Sequence, residues 1–373
     1  MLIHYGLKSY NEAASEAAIY ARTKMEQTIE SGKFSALQTI QKVQSEIPTD
    51  AIVKAQALNF LPDNEGNVLL GYGEEDPLVI SDNALTQLCG RADIPTKMFQ
   101  KLMHEEDTQG WGNQLMAHIF SEMYSHQDKR FLVRSYNGVA RGFLSNSYRR
   151  LDSRPLLDSF IGATSALGMI PVQGYATETK VMLKSMLPLV FEPVSNEVLC
   201  YGATWENSDY GNGAHSIRVF VLRLMCTNYA IADEGIRQIH LGKRLSEDIT
   251  FSQATYDLDT AASASAINDI VLGSLTPERV EAMNEAIRFA SQDKISDPRQ
   301  YLVQMKTALS KGERKGIAEK YNTPDVELLP PGNTVWRMSN AISLFAQSVD
   351  NDERKIELMK LAGTVIPKLA EAA

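Results

Sequence analysis

Arg134 and Arg141 stand on either side of an Asn-Gly pair, within the run Arg130-Phe131-Leu132-Val133-Arg134-Ser135-Tyr136-Asn137-Gly138-Val139-Ala140-Arg141-Gly142-Phe143-Leu144. An Asn-Gly pair between two alternating runs predicts a β-hairpin with a two-residue turn. With Asn137 and Gly138 as that turn, Tyr136 faces Val139, Arg134 faces Arg141 and Leu132 faces Phe143, all on one side of the ladder. Like charges set opposite each other repel, so such a face invites an anion, and a guanidinium fork matches a phosphate. The other side carries Phe131, Val133, Ser135, Ala140, Gly142 and Leu144, small and apolar enough to pack. The expectation is one packed face and one binding face. The rival reading has the arginines splayed into water or paired with carboxylates elsewhere in the chain.

The surrounding charge favours the first reading. From Lys129 to Arg154 there are seven basic residues against one acid, Asp152, in a chain whose formal net charge is -9 and whose pI is near 5.3. An acidic total excludes a generic nucleic-acid coating protein, whereas a local basic segment suits a phosphate-reading groove. The turn after the hairpin adds Tyr148, Arg149 and Arg150. A second basic stretch holds Arg218, Arg223, Arg237, Lys243 and Arg244, against Asp233 and Glu234. Its strand puts Ile217, Val219 and Val221 on one face, and Arg218 with Phe220 on the other. The expected nucleic-acid set is therefore Arg134, Tyr136, Arg141, Phe143, Tyr148, Arg149, Arg150, Arg218 and Arg223. The arginines would contact phosphates, and Tyr136, Phe143 and Tyr148 would stack on bases.

Catalytic constellations are weaker. The six histidines, His4, His104, His118, His126, His215 and His240, include no metal-binding pair spacing. His104-Glu105-Glu106-Asp107 reads as a solvated acidic helix end. Asp158 with Glu178-Thr179-Lys180 imitates the acid and E-x-K pattern of a metal-dependent nuclease, but Asp158 falls inside a helix and chance supplies such a triplet. Asn207-Ser208-Asp209-Tyr210-Gly211-Asn212-Gly213 lacks the lysine of a nucleotide-binding loop and reads as a hairpin connection. Cys89, Cys200 and Cys226 are too far apart for a zinc site or a disulfide framework. No cofactor or metal is expected, and the balance leans away from an enzyme.

These residues need a frame to hold them. The reading is α+β: a central antiparallel sheet with flanking helices and a helical C-terminal region. Residues 1–50 form a helical arm, with one helix from about Asn11 and a second after Ser31-Gly32. Residues 51–250 form a mixed core, and 251–373 a helical region packed on it. Strands are expected over 53–61, 68–72, 170–176, 180–187, 198–205 and 216–225, and helices from Asn228 onward. Ser81, Ser153, Thr276 and Asp297 stand where helices start. Asn322 to Gly332 is too rich in proline for a helix. No apolar run is long enough to span a membrane and no secretory signal is visible, so the chain is expected in the cytoplasm of the cell that makes it.

Five segments carry a resemblance. Arg141-Gly142-Phe143-Leu144-Ser145-Asn146-Ser147-Tyr148-Arg149-Arg150-Leu151-Asp152 and Arg223-Leu224-Met225-Cys226-Thr227-Asn228 are the first two. Gln87-Leu88-Cys89-Gly90-Arg91-Ala92-Asp93-Ile94-Pro95, Ile239-His240-Leu241-Gly242 and Thr334-Val335-Trp336-Arg337-Met338-Ser339-Asn340-Ala341 follow the same order. Together, over residues 80–365, they resemble the phage and plasmid family catalogued as domain of unknown function 932. That resemblance implies a mobile-element setting and transfers no activity. The expectation is a protein that binds nucleic acid, single-stranded DNA above all, in support of recombination, strand annealing or replication; a homo-oligomer in rings or filaments would fit strand annealing. The alternatives are a structural or host-directed protein-interaction factor and, third, the nuclease.

Overall fold

The computed structural model describes residues 6–104, 111–224, 228–238, 251–325 and 328–372. Asn137 and Gly138 take positive φ, 49° and 74°, the geometry of a hairpin turn whose twist matches its strands. They join β5 (Arg130–Tyr136) to β6 (Val139–Ser145). Around that hairpin lie β1 (Thr49–Lys54), β2 (Leu58–Pro62), β3 (Val68–Tyr72) and β4 (Leu78–Ile80), in the order β1-β5-β6-β4-β3-β2. All neighbours are antiparallel except β4 and β6.

The hairpin register departs from the expectation after one step. Tyr136 faces Val139 and Ser135 faces Ala140, but then the ladder shifts, and Arg134 faces Gly142, Val133 faces Phe143 and Leu132 faces Leu144. Arg141 is the extra residue of a β-bulge, which separates the two arginines that an unbroken ladder would have set side by side. A one-residue slip exchanges faces. Phe143 thus joins Phe131 and Val133 against α2 (Asp82–Arg91), α3 (Thr96–His104) and α4 (Trp111–Ser125), in a core with Phe60, Leu88, Phe120 and Tyr124. Leu132 and Leu144 lie on the opposite face with Tyr148.

The second sheet contains β7 (Ile170–Ala176), β8 (Val181–Met186), β9 (Phe191–Val194), β10 (Glu197–Asn207), β11 (His215–Arg223) and β12 (Asn228–Gln238). Its order is β12-β11-β10-β8-β7, with β9 paired to β10. Two of these strands correct the sequence reading. β9 is too short to show a pattern, and β12 continues the meander where helices were expected.

One long helix, α1 (Glu16–Ser45), replaces the expected two and packs along β7 instead of standing off as an arm. Ala18, Ala21, Met25, Ala36 and Val43 are its buried residues. Gly32 does not break it, because the missing side chain lets the helix approach β7: a methyl there would overlap the Val172 carbonyl. Sheet 2's other face meets α5 (Ser153–Ala166) and the C-terminal helices α6 (Gln253–Ser274), α7 (Pro277–Gln292), α8 (Pro298–Gln304), α9 (Lys311–Tyr321), α10 (Val335–Ala346), α11 (Asp352–Thr364) and α12 (Leu369–Ala372). Side chains of Ser81, Ser252, Thr276 and Asp297 cap their helices as their chemistry demands. The α+β class holds, built on two sheets with separate cores.

Candidate functional site

Each expected nucleic-acid residue is drawn inward. Arg134, on β5, is 1% exposed and spreads its fork in three directions. Nε donates to Asp50 at 2.7 Å, Nη2 to Asp152 at 2.6 Å and Nη1 to the Asp209 carbonyl at 2.8 Å. These carboxylates hold its guanidinium firmly charged against the cost of burial. Arg141 swings out of the bulge over the Tyr136 ring, 4.8 Å from its centroid, and bonds Glu46 at 2.7 Å. Arg149 makes a two-pronged pair with Asp259 on α6, at 2.5 and 2.6 Å. Arg150 lies 3.3 Å from Asp50 and 4.4 Å from the Tyr256 ring centroid. Arg218 pairs with Glu206, and Arg223 binds Glu197 through two bonds of 2.7 and 3.0 Å.

The aromatic residues follow. Phe143 is 0% exposed and Tyr148 6%, so neither ring offers a face for a base, and Tyr136 is half-buried under Arg141. The expected pattern of one packed and one open hairpin face is therefore corrected. The segment after β6 and the β10–β11 connection cover the middle of the supposed binding side, and the arginines meet carboxylates drawn from distant parts of the chain. Lys243, Arg244, Cys226 and the Ile239-to-Gly242 motif lie outside the described residues, as do Glu105, Glu106 and Asp107.

The β10–β11 connection is a plug between the sheets. The Tyr210 carbonyl accepts from Asn83 and Gln87, 2.9 and 2.8 Å away, on α2. The Asp209 carboxyl accepts from the Ser153 backbone at 2.7 Å and its hydroxyl at 2.9 Å, capping α5 from a remote loop. Ser153 therefore begins α5 but does not cap it. Burial pushes the Asp209 carboxyl up to about 6, with Arg134 opposing that shift. Beside it lies a cleft lined by Lys42, Glu46, Glu178, Lys180, Asp209 and Tyr210, with a free volume of about 30 Å³. That admits a water or two and no nucleotide.

The nuclease pattern does not assemble. Asp158 accepts from Gln44 at 2.6 Å, while Glu178 and Lys180 sit in the β7–β8 turn beside Arg141 and Glu353. Among the described residues no three His, Cys, Asp or Glu side chains form a group that could hold a metal ion. The Trp336-Arg337 motif is also internal. Trp336 donates to Glu197 at 3.0 Å, and Arg337 binds the carbonyls of Tyr321, Thr323 and Pro330 in the proline-rich loop.

The rim of sheet 1 is open. At one end Lys54 and Arg130 are direct cross-strand partners, both exposed, with Lys129 beside them. Among the described residues none of the three has an ion-pair partner. The other half of the sheet has opposite character: residues 55–90 carry six carboxylates and no lysine, arginine or histidine. On that half's uncovered face Leu61, Leu69 and Val79 form one cross-strand row, and the row continues through Val139 to Tyr136. Leu61 is 37% and Val79 45% exposed. Lys54 escaped the sequence reading because its partner lies on a strand far along the chain; the acidic run from 55 to 90 was visible in composition.

No protein-family model, curated protein or solved structure matches this chain. Among the described residues no helix is long and apolar enough to cross a membrane.

Proposed function

We propose that this chain is a non-catalytic structural protein of phage or plasmid type, acting through protein contacts made by the exposed rim of sheet 1. The observation that supports this best is the division of that rim into a basic end and an acid-only half with an open apolar row, while the arginine-rich hairpin spends its charge inside the molecule. Exposed apolar residues aligned on one sheet face are what a partner surface buries.

Nucleic-acid binding in support of recombination, annealing or replication is the second reading. It is favoured by one observation: the like-charge pair Lys54 and Arg130, which is destabilising unless an anion lies across it. Fluorescence anisotropy of labelled single- and double-stranded oligonucleotides at two salt concentrations separates the two. The structural reading expects nothing tighter than nonspecific affinity, about 10⁻⁴ to 10⁻⁶ M at physiological salt. Tight, salt-dependent binding lost in Lys54→Glu/Arg130→Glu would overturn it and put the second reading first.

A further inference from the structure

We infer that two copies of this chain pair through the outer face of α1, antiparallel and about a twofold axis. That face is separate from the rim of sheet 1, so the inference goes beyond the function proposed above and stands or falls without it. On its inner side α1 buries Ala18, Ala21, Met25, Ala36, Thr39 and Val43. About 180° around the helix, Ile19, Tyr20, Phe34 and Leu37 are 59, 52, 70 and 50% exposed. Among the described residues no other helix carries more than two exposed large apolar side chains. Apolar residues exposed singly are ordinary, but four aligned on one helix make a surface that a partner covers.

The spacing along that face identifies the partner. Tyr20, Thr23, Gln27, Glu30, Phe34 and Leu37 follow one another at alternating steps of three and four residues, the seam of a coiled coil. All six are exposed. The seam is apolar toward both ends and polar in the middle. A parallel pair would set Glu30 against Glu30. An antiparallel pair instead brings Tyr20 level with Leu37 of the second copy, Thr23 with Phe34 and Gln27 with Glu30, and the symmetry makes each contact twice. Apolar ends then meet apolar ends, and the Gln27 amide can donate to the Glu30 carboxylate.

The charges match in the same register. Glu26 and Lys33 flank the seam, each one position before a seam residue, and both are exposed. Among the described residues neither makes an ion pair, and within one helix they stand about 10 Å apart along the axis. In the antiparallel pair Glu26 of one copy lies beside Lys33 of the other, on both sides of the twofold. In a parallel pair the same two positions would face Ser31 and Gln38, with no charge to meet. Because both copies present the same face, the contact is isologous and closes at a dimer. The seam from Tyr20 to Leu37 is about 26 Å long, which sets the contact at the low end of specific interfaces and the dimer in exchange with monomer.

Sedimentation velocity of the full chain across a wide concentration range tests this. Wild type is expected to pass from monomer to dimer and to stop there. Glu26→Lys alone and Lys33→Glu alone are each expected to need at least about tenfold more protein to dimerise, since like charges then meet on both sides of the axis. Glu26→Lys/Lys33→Glu in one chain is expected to dimerise like wild type, because every pair is opposite again. Phe34→Asp is expected to stay monomeric with its circular dichroism unchanged, the ring being 70% exposed. Glu16→Cys/Gln41→Cys extends the seam spacing at its two ends and is expected to give a disulfide-linked dimer, and nothing larger, on oxidation. Within one copy those thiols are about 38 Å apart and cannot pair. Wild type that stays monomeric would give the face to a partner of another kind and overturn the pairing. Assembly beyond a dimer, or a charge swap that fails to restore it, would overturn the antiparallel register. The anisotropy measurement decides the rim of sheet 1 separately.

Discussion

Arg134→Ala separates a structural arginine from a ligand-binding one. The side chain is 1% exposed and gives three bonds, to Asp50, Asp152 and the Asp209 carbonyl. Removing one member of a buried ion pair costs about 3–5 kcal/mol. Here the carboxylates keep some water, with side chains 23% and 44% exposed, and Asp50 retains Arg150 at 3.3 Å. The expected loss is therefore at the lower end, about 3 kcal/mol. Arg141→Ala is the comparison. Its partner Glu46 keeps Lys42 at 2.6 Å, so the loss should be about 1 kcal/mol. Urea unfolding followed by circular dichroism reads both, with an Arg134→Ala midpoint lowered by about 1–3 M. Arg134→Lys should rescue little, because an ammonium on a flexible stem cannot reproduce a three-way fork. An Arg134→Ala protein within about 1 kcal/mol of wild type would refute the reasoning and return Arg134 to the set of groups available for a ligand.

Three further outcomes follow from single contacts. The Asp209 carboxyl, raised to about 6 from 3.8, binds its proton more tightly folded than unfolded. Its stabilising contribution is present below the unfolded value and lost as pH rises through about 6. Relative to Asp209→Asn, wild type should lose on the order of 3 kcal/mol between about pH 4 and 6, read by urea titrations at each pH; a flat difference would sink the assignment. Gly32→Ala, ordinarily worth about 1 kcal/mol to a helix, should instead destabilise, because its methyl meets the Val172 carbonyl; a raised melting temperature would contradict the packing of α1 on β7. Glu197→Gln removes the carboxylate charge from the two bonds that Glu197 makes with the Arg223 guanidinium, which is 2% exposed. Thermal denaturation should show a loss of about 3 kcal/mol, and an unchanged melt would place the Glu197–Arg223–Trp336 contact outside the core.

Local chemistry carried much of the fold. Asn137-Gly138 dictates its turn because few other pairs accept two positive φ angles, and Ser81, Ser252, Thr276 and Asp297 begin helices because their oxygens reach backbone amides two or three residues on. The capping box of α9, Ser310 with Glu313, was legible by the same chemistry and was missed beside the proline-rich loop. β12 could not be read so, since it is the next strand of the meander and its cross-strand pairing with β11 overrides the propensity of its own segment.

The site divides in the same way. The sequence by itself determined that basic and aromatic residues concentrate around the hairpin, that residues 55–90 are purely acidic, and that the chain mixes helices with strands. Only the tertiary structure decided what that charge is for. A bulge at Arg141 moved Phe143 to the core side, and Glu46, Asp50, Glu197, Glu206 and Asp259 neutralised the expected ligand-binding arginines. Lys54 met Arg130 only because β1 returns to pair with β5. The physical reason is that the sign of a charge belongs to one residue, whereas its compensation depends on distance through space, which a buried pair sets in the folded chain and sequence separation does not.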